Sequence, residues 1–551
     1  MKRSLTLLLG LCALPLISFS QSTAARVYEI LQDNCASCHS HNSPAAGLDL
    51  EGGGATLAEQ MQDVYTNLVG VVPANSTAAD AGWAYVEPGR ADKSFLFRKI
   101  NQNLDPFYDL PAGAGAPMPK DQPAISELER ELIRQWIQFG APATGEVVEE
   151  ALLEDYFSGA GEASFPVAPA GPAPAEGFQL KMGPIYLHPA GEPGDEVEYF
   201  QKYALDLPED TEVHRIEFLI SGYSHHFILY DFDFPGAAQS IPPGLRLDPF
   251  HQDVGLIAAV QEATDLRLPE GTAFPWEQDL VLDFNSHYIN YSANLVYQAE
   301  VYINVYTQPE GTAIQPMQTT LLANTNIPIP NNGEEITHSQ VVTSNGLGEI
   351  FIWGIMGHTH QYGTDYKVYR RESFQQQELI YDGACAEGIP GCVSPFFDYQ
   401  HIPIRYFDEL LPLDMSGTNG FIHKASWIND GPVPVNFGPT SDDEMMVLVM
   451  MYTLDSTGIV IASDTEVPLA STSLEVRPNP VQQMAEVVIP DGIGSYAYRL
   501  TDLRGQVVAS GQDLREPVLQ IFRHNWAPGM YVLEVVGEKG QRFMSKVLVG
   551  D

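Results

Sequence analysis

Basic residues are scarce in this chain: 28 Lys and Arg stand against 71 Asp and Glu, a formal charge of −43 at pH 7. A surface that acidic repels phosphate backbones, which excludes nucleic acid as a partner. Long apolar runs are missing too. The stretch 5–17 falls short of the roughly 20 residues that cross a bilayer, and no later segment reaches that length, so no transmembrane segment is expected. Only five cysteines occur in 551 residues, and only 18% of the residues are charged. What is present is a 44% hydrophobic fraction, enough for sizeable cores, with 47 Gly and 41 Pro that favour turns and short strands over long helices. At about 150 residues per domain the length implies three to five domains, mostly β.

Residues 1–20 carry Lys2 and Arg3, then the apolar run, then small polar residues around Ser18 and Ser20, the pattern of a secretory signal peptide. Cys12 follows Leu11 rather than a small residue, which argues against a lipid anchor. Cys385 and Cys392 are close enough in sequence to read as a loop-closing disulfide of an exported protein. Cys35 and Cys38 form a second close pair.

Tyr65, Leu68 and Val69, then Leu128, Leu132, Ile133, Trp136 and Ile137, lie at helical spacing, and Gly140, Ala141 and Pro142 stop the last helix. The Pro-, Ala- and Gly-rich stretch 159–177 has no means of forming a core and marks a boundary. Beyond it, β-branched and aromatic segments at 213–220, 280–284, 295–305, 349–355, 365–370 and 445–452 predict strands of sandwiches. The expected organisation is a helical domain over 24–145, a linker over 146–177, β-sandwiches over 178–310 and 311–465, and a small β domain over 471–551.

Cys35-Ala36-Ser37-Cys38-His39 has the spacing at which two thiols form thioethers to haem vinyls while the next imidazole ligates iron. Met118, in Ala116-Pro117-Met118-Pro119 before the last helix, offers a second axial ligand. The whole resembles the class I cytochrome c domains of bacterial exported proteins. That resemblance implies haem c held by Cys35, Cys38, His39 and Met118, closed to substrate and suited to carrying electrons. His41 is a nearby rival, expected at the surface.

Five of the fourteen histidines fall into patterns suited to metals: His225-His226, His287, and His358-Thr359-His360. Residues two apart on a strand share a face, so His358 and His360 can grip one ion. Adjacent side chains point to opposite faces, so His225 and His226 can share an ion only through a bulge or by presenting different ring nitrogens. His214, His251, His338, His401 and His423 have no partner at metal spacing.

In order along the chain come Ser224-His225-His226-Phe227, His287-Tyr288, Gly357-His358-Thr359-His360, Trp427-Ile428-Asn429-Asp430 and Ser441-Asp442-Asp443-Glu444-Met445-Met446. Residues 178–465 thereby resemble the type II copper, ascorbate-dependent monooxygenases, the family of peptidylglycine and dopamine β-hydroxylating enzymes. The resemblance implies two jelly-roll-like sandwiches facing across a wet cleft, with one copper each. His225, His226 and His287 would hold the electron-supplying copper. His358, His360 and Met445 would hold the catalytic copper where O2 and substrate react. Imidazole suits copper and a thioether favours its reduced form, which agrees independently. Met446, Met450 and Met451 are rivals to Met445 that periodicity does not separate; the family pattern of a preceding glutamate selects Met445.

Ascorbate is the reductant in the resembling enzymes, and the fused haem domain implies an external electron donor whose electrons replace or supplement it. Peptidylglycine enzymes carry an arginine two positions before the His-x-His pair and a tyrosine four after the methionine; here Met356 and Val449 stand there. A less charged small-molecule or peptide-like substrate is implied. A non-catalytic secreted haem and copper binding or electron-relay protein is the alternative. Finally, Leu474-Glu475-Val476-Arg477-Pro478-Asn479-Pro480, Pro528-Gly529-Met530-Tyr531 and Lys546-Val547-Leu548-Val549 resemble the type A sorting domain of type IX secretion, which implies that machinery as a partner and export through the periplasm and outer membrane.

Overall fold

The computed structural model describes residues 22–102, 105–221, 223–232, 235–248, 254–261, 263–344, 346–384, 397, 399, 402–438, 443–461, 474, 476–479, 481, 483–490, 493–502, 507–523, 526, 529–537 and 542–549. The expected leader and the Cys385/Cys392 pair lie outside the described residues. The chain divides into two compact units, Met1–Ala151 and Leu152–Asp551.

The first unit is built on helices α1 (Thr23–Asn34), α2 (Leu57–Leu68), α3 (Phe95–Asn101) and α4 (Glu127–Gln138). Thr56 and Ser126 start α2 and α4 with reciprocal capping boxes to Glu59 and Glu129, satisfying backbone donors that the first turn leaves open. Helix α4 ends as the sequence dictates. Gly140 takes φ +87°, and the amides of Gly140 and Ala141 donate back to Ile137 and Trp136, the Schellman arrangement that a residue without Cβ permits. Leu132, Ile133, Trp136 and Ile137 are buried on one face, with Tyr65 edge-on to Trp136 at 6.4 Å.

The second unit is mainly β. The stretch expected to be a bare linker departs from that reading: after a helical turn, β1 (Gly161–Ala163) pairs in parallel with Val296–Gln298. Tyr156 packs edge-on to Tyr186 at 5.0 Å and Phe165 to Tyr302 at 5.4 Å. Two aromatics among the prolines and glycines suffice to dock the segment, which average composition conceals.

Then follow β2 (Gly177–Leu187), β3 (Glu196–Ala204), β4 (Thr211–Leu219), β5 (Ser224–Phe232), β6 (Val254–Val260), β7 (Thr272–Trp276), β8 (Val281–Ile289) and β9 (Val296–Pro309). One sheet runs β7-β4-β9 with β1 and β2 also on β9; the other runs β3-β8-β5-β6. Phe218 of β4 meets Phe227 of β5 at 5.9 Å, joining the two sheets.

The next pair of sheets uses β10 (Gln318–Ala323), β11 (Glu335–Val342), β12 (Glu349–His358), β13 (Gly363–Glu372), β14 (Gln375–Asp382), β15 (Arg405–Asp414), β16 (Gly420–Ile428) and β17 (Val447–Thr453), ordered β10-β17-β12-β15 and β11-β16-β13-β14. Ile350, Ile352 and Ile355 of β12 share one core with Tyr366, Val368, Phe421 and Trp427 of the facing sheet. Residues 474–549 add two further small sheets around a separate core that includes Leu500, Leu533, Val535 and Val547.

Candidate metal centre

Strands β5 and β8 are antiparallel neighbours, and their register sets His287 directly opposite His226. The next pair is Tyr288 with Ser224, so the ladder skips His225. That bulge answers the adjacency problem, because one inserted residue turns the following side chains relative to the sheet. The ligand nitrogens of His225, His226 and His287 all lie within 4.8 Å of one another.

Carboxylates from β3 orient two of these rings. His287 Nε2 lies 2.8 Å from Glu196 Oε1, and His226 Nε2 lies 3.3 Å from Glu198 Oε1 and 3.1 Å from Asn285 Oδ1. Donation of Nε2–H to a carboxylate leaves Nδ1 as the lone-pair atom. His287 Nδ1 is buried without a hydrogen-bond partner, which is the condition of a nitrogen meant for an ion. Burial raises the Glu198 carboxyl, but the hydrogen bond to His226, the electrostatic pull of the His226 and His287 rings and the Asn285 amide outweigh it and hold Glu198 at about 2.

His358 ends β12 and His360 follows two residues on, their rings 5.2 Å apart. Glu444 ties this turn to the strand that brings Met445. Its carboxylate, fully buried, accepts from the amides of His360 (2.8 Å), Tyr362 (2.7 Å) and Met445 (3.2 Å) and from Trp427 Nε1 (2.8 Å). Burial pushes it up to about 7 despite those donors. His360 Nδ1 donates to the Asp443 carbonyl at 3.1 Å, which leaves Nε2 free to ligate. Burial brings His360 down to about 4, and burial with the neighbouring histidines puts His358 well below 6.5. Both are therefore neutral, as ligands must be.

Gln261, just past β6, lies 3.2 Å from His358 Nδ1 through its amide nitrogen, while its buried Oε1 has no partner. Turning the amide by 180° lets that oxygen accept Nδ1–H and leaves Nε2 of His358 as the lone-pair atom. Met445 is half-buried, whereas Met446, Met450 and Met451 are buried in the core. The Met446 sulfur accepts from Asn324 at 3.5 Å.

One expectation changes. Instead of two sites facing across an open cleft, the five rings meet: His225 lies 5.0 Å from His287 and 6.4 Å from both His358 and His360, and His226 lies 6.3 Å from His358. Met356 and Val449 explain the closure. They are buried in one apolar cluster with Leu256 and Ala259 of β6, against which Ile228, Tyr230, Leu321 and Ile404 pack. Thr319 Oγ1 donates to the Ile257 carbonyl at 2.8 Å across the same join.

In the first unit, Cys35 and Cys38 are free thiols. Burial and then the neighbouring Cys38 raise Cys35 to about 11, so it is a protonated thiol. His39 Nδ1 donates to the Leu48 carbonyl at 3.0 Å, which makes Nε2 the lone-pair atom of the ring. His41 is exposed and bonds Asp49 at 2.7 Å. The Met118 backbone is held by Lys99 and Gln102. An open cleft lies elsewhere in this unit, lined by Tyr28, Leu31, Met61, Tyr65, Leu68 and Trp136; Cys35, Cys38, His39 and Met118 do not line it. Among the remaining histidines, His423 is engaged by Tyr366 and Gln340, and His338 by the Pro328 carbonyl. His251 and His401 lie outside the described residues. Sequence reasoning missed Glu196, Glu198 and Gln261, which carry no local pattern.

No protein-family model and no curated protein matches the chain. Among solved structures it is similar to the one described as the crystal structure of the STIV MCP, with 11% identity over 51% of this chain and 93% of that one and a TM-score of 0.21. It is also similar to the BSP domain of a biofilm associated protein, with 6% identity over 64% and 81% and a TM-score of 0.14. Overlap that slight carries no argument.

Proposed function

We propose that the protein is an exported copper-dependent monooxygenase that hydroxylates a C–H bond of an organic substrate with O2, its N-terminal unit being a class I cytochrome c domain that relays electrons. The observation that carries the reading is the convergence of five histidine rings from strands far apart in sequence, one of them with a buried, unpartnered nitrogen. His225, His226 and His287 would hold one copper, and His358, His360 and Met445 the other. Bound copper supplies the one-electron chemistry for reducing O2. Two electrons and two protons from outside, one O2 and one C–H bond yield one C–OH and one water.

The chain's own residues do the positioning. Glu196 and Glu198 fix the ring orientation of His287 and His226. Glu444 locks the His360 turn to the Met445 segment, and Gln261 steers His358. Apolar Met356 and Val449 exclude water beside the centre and give no charge with which to bind a carboxylate. Cys35 and Cys38 would form the thioethers of a haem c, with His39 and Met118 as axial ligands, a pairing that raises its potential. The two β-sandwiches read as the jelly-roll-like copper domains, and residues 471–551 as a type IX sorting domain directing export.

The experiment is turnover of the copper-loaded full chain with ascorbate and 18O2 in an organic extract. One labelled oxygen in a product, dependent on copper, supports the reading. A second reading, a secreted haem and copper electron relay, is favoured by the apolar filling at Met356 and Val449; reductant-dependent oxygen uptake with no labelled product decides for it.

A further inference from the structure

Resting on the haem reading above, we propose that Lys99 is the positioning residue for the haem's methionine ligand: its ammonium closes the loop that carries Met118 and fixes where the sulfur is delivered. Pro111, Pro117 and Pro119 lie in this loop and have no amide to donate. Its carbonyls must therefore be held from outside, and helix α3 with the residue after it supplies the donors. Arg98 Nη1 donates to the Asp109 carbonyl at 2.8 Å, Asn101 Nδ2 to that of Asp105 at 2.9 Å and Gln102 Nε2 to that of Met118 at 2.8 Å.

Lys99 does more than any of these. Its Nζ donates to the carbonyls of both Ala114 (2.6 Å) and Ala116 (2.8 Å), and its own carbonyl accepts from the Met118 amide at 2.7 Å. One residue thus ties the loop at Ala114, at Ala116 and at Met118 itself. The loop is shaped for that ammonium. Gly115 turns with φ +81°, and a Cβ there would stand 3.2 Å from Lys99 Nζ, so the chain between the two carbonyls curls around the charge where a side chain would crowd it. The ammonium also lies 5.0 Å from the centre of the Phe95 ring, close enough for a cation–π attraction. Phe95 shares a buried cluster with Ala114, against which Leu110 packs. A neutral thioether is a weak iron ligand beside imidazole, and it stays bound only where the surrounding residues hold it in place. Losing the Lys99 grip should let the loop withdraw while covalent attachment at Cys35 and Cys38 keeps the haem.

The test uses the full-length, haem-loaded chain at equal copper content. It reads haem per chain, the weak long-wavelength band that a sulfur–iron bond gives ferric haem, and the reduction potential. The wild type should hold covalent haem and show the band, and Met118→Ala should lose it. Lys99→Leu, which removes the charge and its donors, should keep wild-type haem content, lose most of the band and shift the potential downward, since a methionine ligand raises it. Lys99→Arg, a cation that can reach the same carbonyls, should recover both in part. If Lys99→Leu does not fold, Lys99→Gln, too short to reach both carbonyls, is read in its place. A full band with an unchanged potential in the folded neutral variant overturns the proposal and leaves the haem reading standing. A wild type with covalent haem but no band, or a band that survives Met118→Ala, removes Met118 as ligand and the proposal with it. A wild type without covalent haem overturns the haem reading itself.

Discussion

Glu196 and His287 are a small lever on the whole centre. The carboxylate lies 2.8 Å from one ring nitrogen while the other nitrogen is buried and unpartnered, so losing the carboxylate frees the ring to turn and lowers its basicity. Glu196→Ala should weaken copper binding by roughly 10–100-fold, the usual cost of removing such a partner, and Glu196→Gln, which keeps an acceptor oxygen, should recover part of it. Titration against a competing chelator measures both; an unchanged affinity in the alanine variant would remove Glu196 from the site. The motifs named the histidines readily, since paired and alternating imidazoles stand out in any chain. Their partners did not stand out: Glu196, Glu198 and Gln261 come from β3 and the end of β6, and an isolated carboxylate or amide has no signature until folding supplies its neighbour.

Among the elements, strands β4, β8, β9, β12, β13 and β17 were legible because β-branched and aromatic runs bounded by turn residues have few other uses. The bulge at His225 was legible only as a condition, since a ladder that skips a residue depends on its neighbour's register. β1 was hidden in a stretch whose composition speaks for a linker, and the part Met356 and Val449 play in joining two sandwiches depends on β6, a hundred residues and more upstream. Packing between β13 and β16 makes its own prediction. Tyr366 O–H donates to His423 Nδ1 at 2.7 Å, and His423 Nε2–H donates to Gln340 at 2.8 Å, which fixes a neutral ring; burial lowers His423 from 6.5 to about 4. Between those values the unfolded chain binds a proton that the folded one does not, so stability falls as pH drops from 6.5 towards 4, by up to about 3 kcal/mol at about 1.4 kcal/mol per pH unit. His423→Gln should have a shallower decline of unfolding temperature over that window; an identical slope would show that the ring does not titrate there.

For the whole molecule, the proposed function assigns electron relay to the unit that carries Cys35 and Cys38 and oxygen chemistry to the unit that carries the histidines. The full-length Cys35→Ala/Cys38→Ala variant, unable to attach haem, should keep copper reduction by ascorbate and lose reduction by a protein electron donor that reduces the wild type; equal rates with that donor would remove the haem unit from the path. The central claim concerns the ligands themselves, and copper X-ray absorption of the reduced, two-copper protein addresses it most directly. Imidazole scattering at both metals with one sulfur for every two coppers, lost in Met445→Ile and kept in Met446→Ile, is the predicted result. Spectra without sulfur, or with sulfur that survives in Met445→Ile, would contradict it.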